Sequence, residues 1–286
     1  MVPYAAASMD YLTGLASLTI LDSTTFRPKR VSDGRLSATA GFRGLYGPDR
    51  DTTIDFGYNL QALTYFRHDE FNFLDNNIGG GVTRRIDSDN AVSAHADVSR
   101  SFATGSYRGY YWREHLGTAY AHDFDKQLDV TLGADYSHYS FDGSHVLGSD
   151  TGTVSVLPQF RFDSLPLDVA VNVIIGRNLA QQGAYSFGFV EVAPSLTWRF
   201  ENHDFVEASL RYGHYGFDSG DLFQTGVTRR DSIWGGSTAY FMPVFSLPQV
   251  GTVLAYGRYT HTQDVSTLDR QSYVSDVVSV GLTARF

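Results

Sequence analysis

Histidine, serine and aspartate recur at spacings that invite a search for catalysis in this 286-residue chain. His138-Tyr-Ser140 sets an imidazole and a hydroxyl two residues apart, the pair a nucleophilic hydrolase uses when a third polar group orients the base. An orienting asparagine is missing, since none occurs between Asn90 and Asn172. His95, Asp97 and Ser99 share one face of an alternating segment. Neighbours two apart on one strand splay side by side and make a poor relay, so lining a wall is their simpler role. The nine histidines show no paired metal-ligand spacing, and there is no cysteine to supply thiolate ligands or disulfides. Gly79-Gly80-Gly81 follows no strand-to-helix pattern and opens no phosphate loop; close packing or a kink suits it better. The acidic stretches 142–150 and 216–221 lack the spacing of a defined calcium loop. The residues therefore predict no cofactor, no bound metal and no enzymatic activity.

The elements that hold these residues are strands. Against 31 acidic residues stand 22 basic ones, a net charge of -9 that argues against nucleic acid as a partner. Lys29 and Lys126 are the only lysines, whereas soluble β-proteins normally decorate exposed faces and edges with lysine. The most apolar run, Val169 to Ile175, is interrupted by Asn172 and falls far short of the ~20 residues of a membrane-spanning helix. The start carries no charged region followed by an apolar stretch, so an exported protein would have to be a mature form or an excised domain.

Period-2 alternation runs almost from end to end. Leu128, Val130, Leu132, Ala134 and Tyr136 oppose Asp129, Thr131, Gly133, Asp135 and Ser137. Leu167, Val169, Val171, Val173 and Ile175 oppose Asp168, Ala170 and Asn172. Val206, Ala208, Leu210 and Tyr212 oppose Glu207, Ser209, Arg211 and Gly213. We count fourteen such segments, with registers least defined in the first, twelfth and thirteenth. Short connections near Pro48-Asp49-Arg50, Asp87–Asn90, Asp125-Lys126, Ser164–Pro166, Asn202-His203 and Ser246–Pro248 alternate with long ones near 22–34, 67–73, 103–109, 140–152, 177–187, 216–226 and 261–273. Phe124, Phe160, Phe162, Trp198, Phe200 and Tyr136 gather at segment ends, as in interfacial girdles. Together these predict an all-β fold: a transmembrane, antiparallel, up-and-down β-barrel of about 14 strands. Residues 1–10 read as a periplasmic lead-in and 11–286 as the barrel. Pro158 and Pro194 fall on the apolar phase of the eighth and tenth strands, where a proline cannot donate to the ladder. A bulge or a widened hydrogen-bond gap is expected at each.

The last strand, Ser279-Val-Gly281-Leu-Thr-Ala284-Arg-Phe286, resembles the carboxy-terminal signature of Gram-negative outer-membrane proteins. That resemblance implies a bacterial outer-membrane location, contact with lipid and lipopolysaccharide, and recognition of Ser279, Gly281, Ala284 and Phe286 by the barrel-assembly machinery. The overall look is similar to the C-terminal translocation barrels of exopolysaccharide-export and surface-lipoprotein assembly proteins, although no motif identifies either family. His138-x-Ser140 in turn resembles the pair of outer-membrane phospholipases, without their asparagine.

Placing Phe286 outward puts Arg43, Asp55, Arg85, Asp97, Asp129, Asp135, Arg161, Asp168, Glu191, Arg199, Glu207, Arg211 and Arg285 on the inward, pore-lining face. Arg43 with Asp55, Arg161 with Asp168 and Arg199 with Glu207 would pair across short turns. Such a wall suits a pore or export conduit for a polar solute or polysaccharide. The alternatives are a structural, receptor or adhesin barrel closed by ion pairs and, from His138 and Ser140, a lipid hydrolase.

Overall fold

The computed structural model describes residues 2–13, 32–67, 72–103, 108–142, 148–162, 164–220, 227–247, 251–268 and 272–285. Fourteen strands run β1 (Val2–Thr13), β2 (Asp33–Tyr46), β3 (Thr52–Tyr65), β4 (Phe73–Arg85), β5 (Asn90–Ala103), β6 (Arg108–Asp123) and β7 (Leu128–Phe141). They continue as β8 (Ser149–Arg161), β9 (Leu167–Ala180), β10 (Phe187–Arg199), β11 (Phe205–Gly220), β12 (Thr228–Leu247), β13 (Gly251–Ser266) and β14 (Tyr273–Arg285). Each pairs antiparallel with its sequence neighbours, and β14 pairs with β1 from Tyr4↔Arg285 to Thr13↔Asp276, closing the barrel. Residues 2–10, set apart as a lead-in by the sequence reading, therefore belong to the first strand. Ala5, Ala6 and Ala7 hide its alternation, yet β14 needs this partner if no edge is to remain.

Closed pairing fixes which side chains face out, because residues directly opposite on antiparallel strands share a face. Leu36, Phe42, Ile78, Leu132, Val154, Ile175, Leu210 and Val280 are all exposed on the outside. Tyr65, Ala239, Phe241, Val253 and Leu268 are the only buried hydrophobic residues among those described, while Asp10, Ser99, Ser101, Asp231 and Asp264 are buried. The arrangement inverts that of a water-soluble domain and matches a barrel whose exterior meets lipid.

At the turn end, a carboxylate two or three residues ahead of the strand ties down its first amides. Asp49 accepts from the Asp51 and Thr52 N–H at 2.9 and 2.6 Å. Asp125 accepts likewise from Gln127 and Leu128 at 2.7 and 2.8 Å. Asp87 takes the Asp89 N–H at 2.9 Å and the Asn90 side-chain amide at 2.7 Å. At the opposite end the connections are less uniform than the sequence suggests. β5 and β6 stay paired to their tips, Ala103 opposite Arg108, where the sequence suggested a long connection over 103–109. On the turn side, Ser246 and Leu247 complete β12 rather than forming a turn.

Both prolines resolve as gaps, not bulges. Pairing of β8 with β9 skips Leu157 and Pro158, and that of β10 with β11 skips Ala193 and Pro194; in each case the register resumes unshifted. The ladders on their other sides are unbroken. A missing N–H thus interrupts one ladder without displacing a residue. Register shifts occur elsewhere, near Ser101/Phe102, between Gly216 and Gly220, and beside Pro243.

The triple glycine is where neighbouring backbones come close. A Cβ on Gly79, Gly80 or Gly81 would lie 2.8, 2.6 and 2.8 Å from the carbonyl oxygens of Ala96, Asp55 and Ala94. Gly80→Val is expected to lower stability by about 1–3 kcal/mol through overpacking, read as a lower urea midpoint of the heat-modifiable band. Gly152→Ala, where nothing lies within 4 Å of the added Cβ, should leave it unchanged.

The turn carboxylates predict an acid response. Hydrogen bonds from the Thr52 hydroxyl and the Asp51 amide hold Asp49 below the usual carboxylate range, and the Asp89 amide with the Asn90 side chain does the same for Asp87. A lowered folded pKa gives stability that is complete above the unfolded value of about 4 and is lost as pH falls through the folded one. The Asp49→Asn/Asp87→Asn protein keeps acceptors but cannot titrate there, so its stability should fall less steeply below pH ~4 in acid-unfolding curves.

Candidate functional site

The inward face carries the charge. By register, Arg43, Asp55, Arg85, Asp97, Asp129, Asp135, Arg161, Asp168, Glu191, Arg199, Glu207 and Arg211 all stand on it. Arg285 occupies an inward register position between Tyr4 and Thr252, but its side chain lies outside the described residues. Ser279 and Gly281 also face inward and Ala284 outward, while Phe286 lies outside the described residues.

The pairing differs from the sequence expectation. Arg43 does reach Asp55, at 3.6 Å. Arg161, however, bonds Asp129 on β7 at 2.8 Å, and Arg199 bonds Asp168 on β9 at 2.5 Å. Glu207 and Arg85 make no ion pair among the described residues. An arginine opposite a carboxylate across a turn can instead choose a diagonal partner on the preceding strand. The same choice recurs in Arg113–Asp97 at 2.5 Å and Arg211–Glu191 at 2.6 Å, whereas Arg35 bonds Asp10 directly opposite it at 2.7 Å.

Two denser clusters occupy facing parts of the wall. On β5–β7, Asp97 accepts from Asn77 at 2.7 Å and from Arg113 at 2.5 Å. His115 Nδ1 lies 2.7 Å from Asp97 and its Nε2 3.2 Å from Asp135. His95 Nε2 stands 3.6 Å from the same Asp135 oxygen. A cavity of about 420 Å³ opens beside this cluster, lined by Arg43, Asp55, Asn59, Asn77, His95 and Asp97. On β10–β12, Arg211 donates twice to Glu191, at 3.0 and 2.6 Å, and the Tyr215 hydroxyl donates to the same carboxylate. Tyr215 stacks on Phe189 at 5.5 Å, Phe187 packs on Phe217 at 5.1 Å, and Arg229 lies 4.2 Å over Phe217. Asp231 receives Arg229 at 2.8 Å.

Sequence reasoning missed Arg113, His115, Arg35, Asp10, Tyr215 and Arg229. The outward phase of β6 contains Glu114 between Trp112 and Leu116, which blurs its alternation. Leu116 and Tyr120 were the signal that could have placed Arg113 and His115 inward.

The outward candidates form a different pattern. Asp150 on β8 lies 2.8 Å from His138 Nδ1 and accepts from the Tyr136 hydroxyl at 2.5 Å, so a carboxylate stands where the sequence showed no asparagine. Ser140 makes no hydrogen bond to His138 among the described residues. The same unit recurs with His261 and Tyr259 bonded to Asp276 at 2.8 and 2.6 Å, with Gln263 in the place of serine. Repetition without the serine marks a boundary motif, in which Tyr and His present apolar stems and polar tips.

The wall clusters should differ in energetic weight. The Asp97 side chain is 18 % exposed and serves three donors, whereas Arg199 and Asp168 are 57 % and 37 % exposed. Asp97→Ala is expected to cost about 1–3 kcal/mol and Asp168→Ala about 0–1 kcal/mol, compared by urea midpoint.

No protein-family model matches the chain, and no curated protein matches it in sequence. Solved structures do match. An anion-selective porin from Comamonas acidovorans superposes over 100% of this chain and 99% of its own, with TM-score 0.52 and 9% identity. OmpT, an outer membrane protein of Vibrio cholerae, covers 99% of this chain and 96% of its own at TM-score 0.52 and 8% identity. A Pseudomonas aeruginosa FadL homologue covers 100% and 88% at TM-score 0.51 and 7% identity. At such identities the likeness is one of fold.

Proposed function

We propose that the chain is a bacterial outer-membrane conduit that passes a polar solute or polymer through a charged, hydrophilic lumen, either alone or as the barrel domain of a larger secretion protein. The observation that carries this reading is the direction of the ion pairs. Among the described residues every inward pair joins side chains of the same, adjacent or next-but-one strands, and none reaches across the lumen. Geometry explains why. Fourteen strands spaced ~4.8 Å and tilted ~40° give a backbone diameter of about 28 Å, more than two extended arginines from opposite walls can span. Wall-to-wall bonding would have favoured a closed structural, receptor or adhesin barrel; wall-hugging pairs favour a water path.

Charges of both signs alternate along the wall, which suits a weakly selective path better than one strongly selective for anions or cations. The stacked Phe189 and Tyr215 beside the Arg211–Glu191 pair offer an apolar face with a polar rim, a surface that complements sugar rings and fits a polysaccharide cargo. Lipid would cover the apolar exterior, lipopolysaccharide the rim of Arg100, His138 and His261, and the terminal strand with Ser279, Gly281, Ala284 and Phe286 would dock on the barrel-assembly machinery. Lipid hydrolysis has one observation in its favour, the Asp150–His138 bond; it requires lipase activity that Ser140→Ala abolishes.

Planar-bilayer recording of the refolded protein should show steady openings. Replacing Arg161 and Arg199 with Gln together with Glu207→Gln removes two positive charges and one negative, so the reversal potential in a salt gradient should shift toward cation preference. Insertion as heat-modifiable β-structure without conductance would overturn the open-conduit reading.

A further inference from the structure

We propose that His95, His115 and Asp135 form a binding site for one divalent transition-metal ion of borderline softness, Zn²⁺ being the ion we would use as probe. The site rests on the barrel fold alone and not on whether the lumen conducts.

Three adjacent strands bring the ligands together. Register places His95 opposite Gly117, and Gly117 opposite Asp135, with His115 two residues along the same face. One donor atom from each of the three side chains lies within 4.8 Å of the others. Tetrahedral zinc with ligand bonds of about 2.0–2.1 Å separates neighbouring donors by about 3.3 Å. Asp135 already stands 3.2 Å from His115 Nε2 and 3.6 Å from His95 Nε2. The two imidazole donors lie within 4.8 Å of each other, and the His95 ring, at 44 % exposure, has room to turn and shorten that edge.

The surroundings support the same assignment. Gly117 lies beneath the convergence point: a Cβ there would sit 2.2 Å from His95 Cε1 and 2.3 Å from Asp135 Oδ1. Any side chain at this position would push the ligands apart. Asp97 takes His115 Nδ1 at 2.7 Å, leaving Nε2 to face Asp135. A carboxylate behind a ligating histidine is the usual way such a ring is oriented and its basicity raised. Arg113 and Asn77 in turn hold Asp97. With both imidazoles neutral, Asp97, Asp135 and Arg113 leave one net negative charge to meet the cation. Two nitrogens and one oxygen favour Zn²⁺, Ni²⁺ or Cu²⁺ over the hard ions Ca²⁺ and Mg²⁺. The fourth position opens to the lumen, where water or a passing anionic group completes the shell.

Isothermal titration of the refolded barrel with Zn²⁺ at neutral pH tests the site. One equivalent should bind, and Mg²⁺ should not compete. His95→Ala is the primary variant, because His95 is the most exposed ligand and the fold should not depend on it; together with His115→Ala it should abolish binding. Asp97→Asn, a positioning change, should weaken affinity roughly 10–100-fold while the absorption bands of bound Co²⁺ stay tetrahedral. Gly117→Val should lose the site with all three ligands retained, and His122→Ala should bind as the parent does. Each variant is first checked for heat-modifiable folding. Absence of binding in the parent protein overturns the proposal, and so does undiminished binding in folded His95→Ala. Neither result bears on conductance.

Discussion

Everything in this molecule follows from the pairing of β14 with β1. A strand facing hydrocarbon has no water to satisfy its N–H and C=O groups, so each strand needs two strand neighbours and the sheet must close. The ladder from Tyr4↔Arg285 to Thr13↔Asp276 meets that need with the first and last segments of the chain. Once it is made, fourteen registers become mutually dependent, and no strand can slip by one residue without presenting its apolar face to the lumen. The interruptions respect this rule. Pro158 and Pro194 each open a gap on one side while keeping register, and the register shifts lie near strand ends.

Closure also sets the character of the interior. Because many of its charged side chains stay well exposed, the inner wall behaves as a curved surface rather than a core. Its charges find partners along the surface, with neighbours that the strand tilt brings diagonally close. Paired in this way, Arg113, His115 and Asp97 become a supported network, while the more exposed Arg199–Asp168 pair contributes little to stability. The wall can therefore vary its exposed charges at small cost, whereas the cluster on β5–β7 is tied into the sheet through Gly79 and Gly117, where close approach leaves no space for a side chain.

The alternation of β7, β9 and β11 made the fold legible, since each sets an unbroken apolar phase against charged or small residues. The inward phase of twelve charged residues followed from the same parity. What parity could not convey was which neighbour an arginine chooses. Arg161 stands directly opposite Asp168 yet bonds Asp129, because a long side chain follows the tilt between strands, which a linear sequence does not express. The same blindness hid the His95–His115–Asp135 convergence: the three are separated by ordinary hairpin distances, not by any metal-ligand spacing. The bounds of the first strand were misplaced for a different reason, since alanines at 5, 6 and 7 carry no contrast between faces.

The exterior provides its own measure of what surrounds the barrel. Tyr-x-His occurs outward at Tyr136/His138, Tyr212/His214 and Tyr259/His261 on the loop side and at Tyr120/His122 on the turn side, the last bonded to Asn90. Such residues settle where apolar meets polar surroundings, so they bracket the apolar band. From Glu114 to His122 on β6 is about 26 Å along the strand, or roughly 20 Å along the barrel axis at ~40° of tilt. From Leu128 to His138 on β7 the same arithmetic gives roughly 25 Å. The longer span matches the ~25 Å apolar band of outer-membrane barrels, the shorter is a few ångströms less, and both fall short of a ~30 Å bilayer core. The acidic groups Glu114, Asp150 and Asp276 on the outward face all lie toward its loop side. An apolar exterior with amphipathic side chains at both borders has a physical reason to sit in a lipid bilayer and none to sit in water.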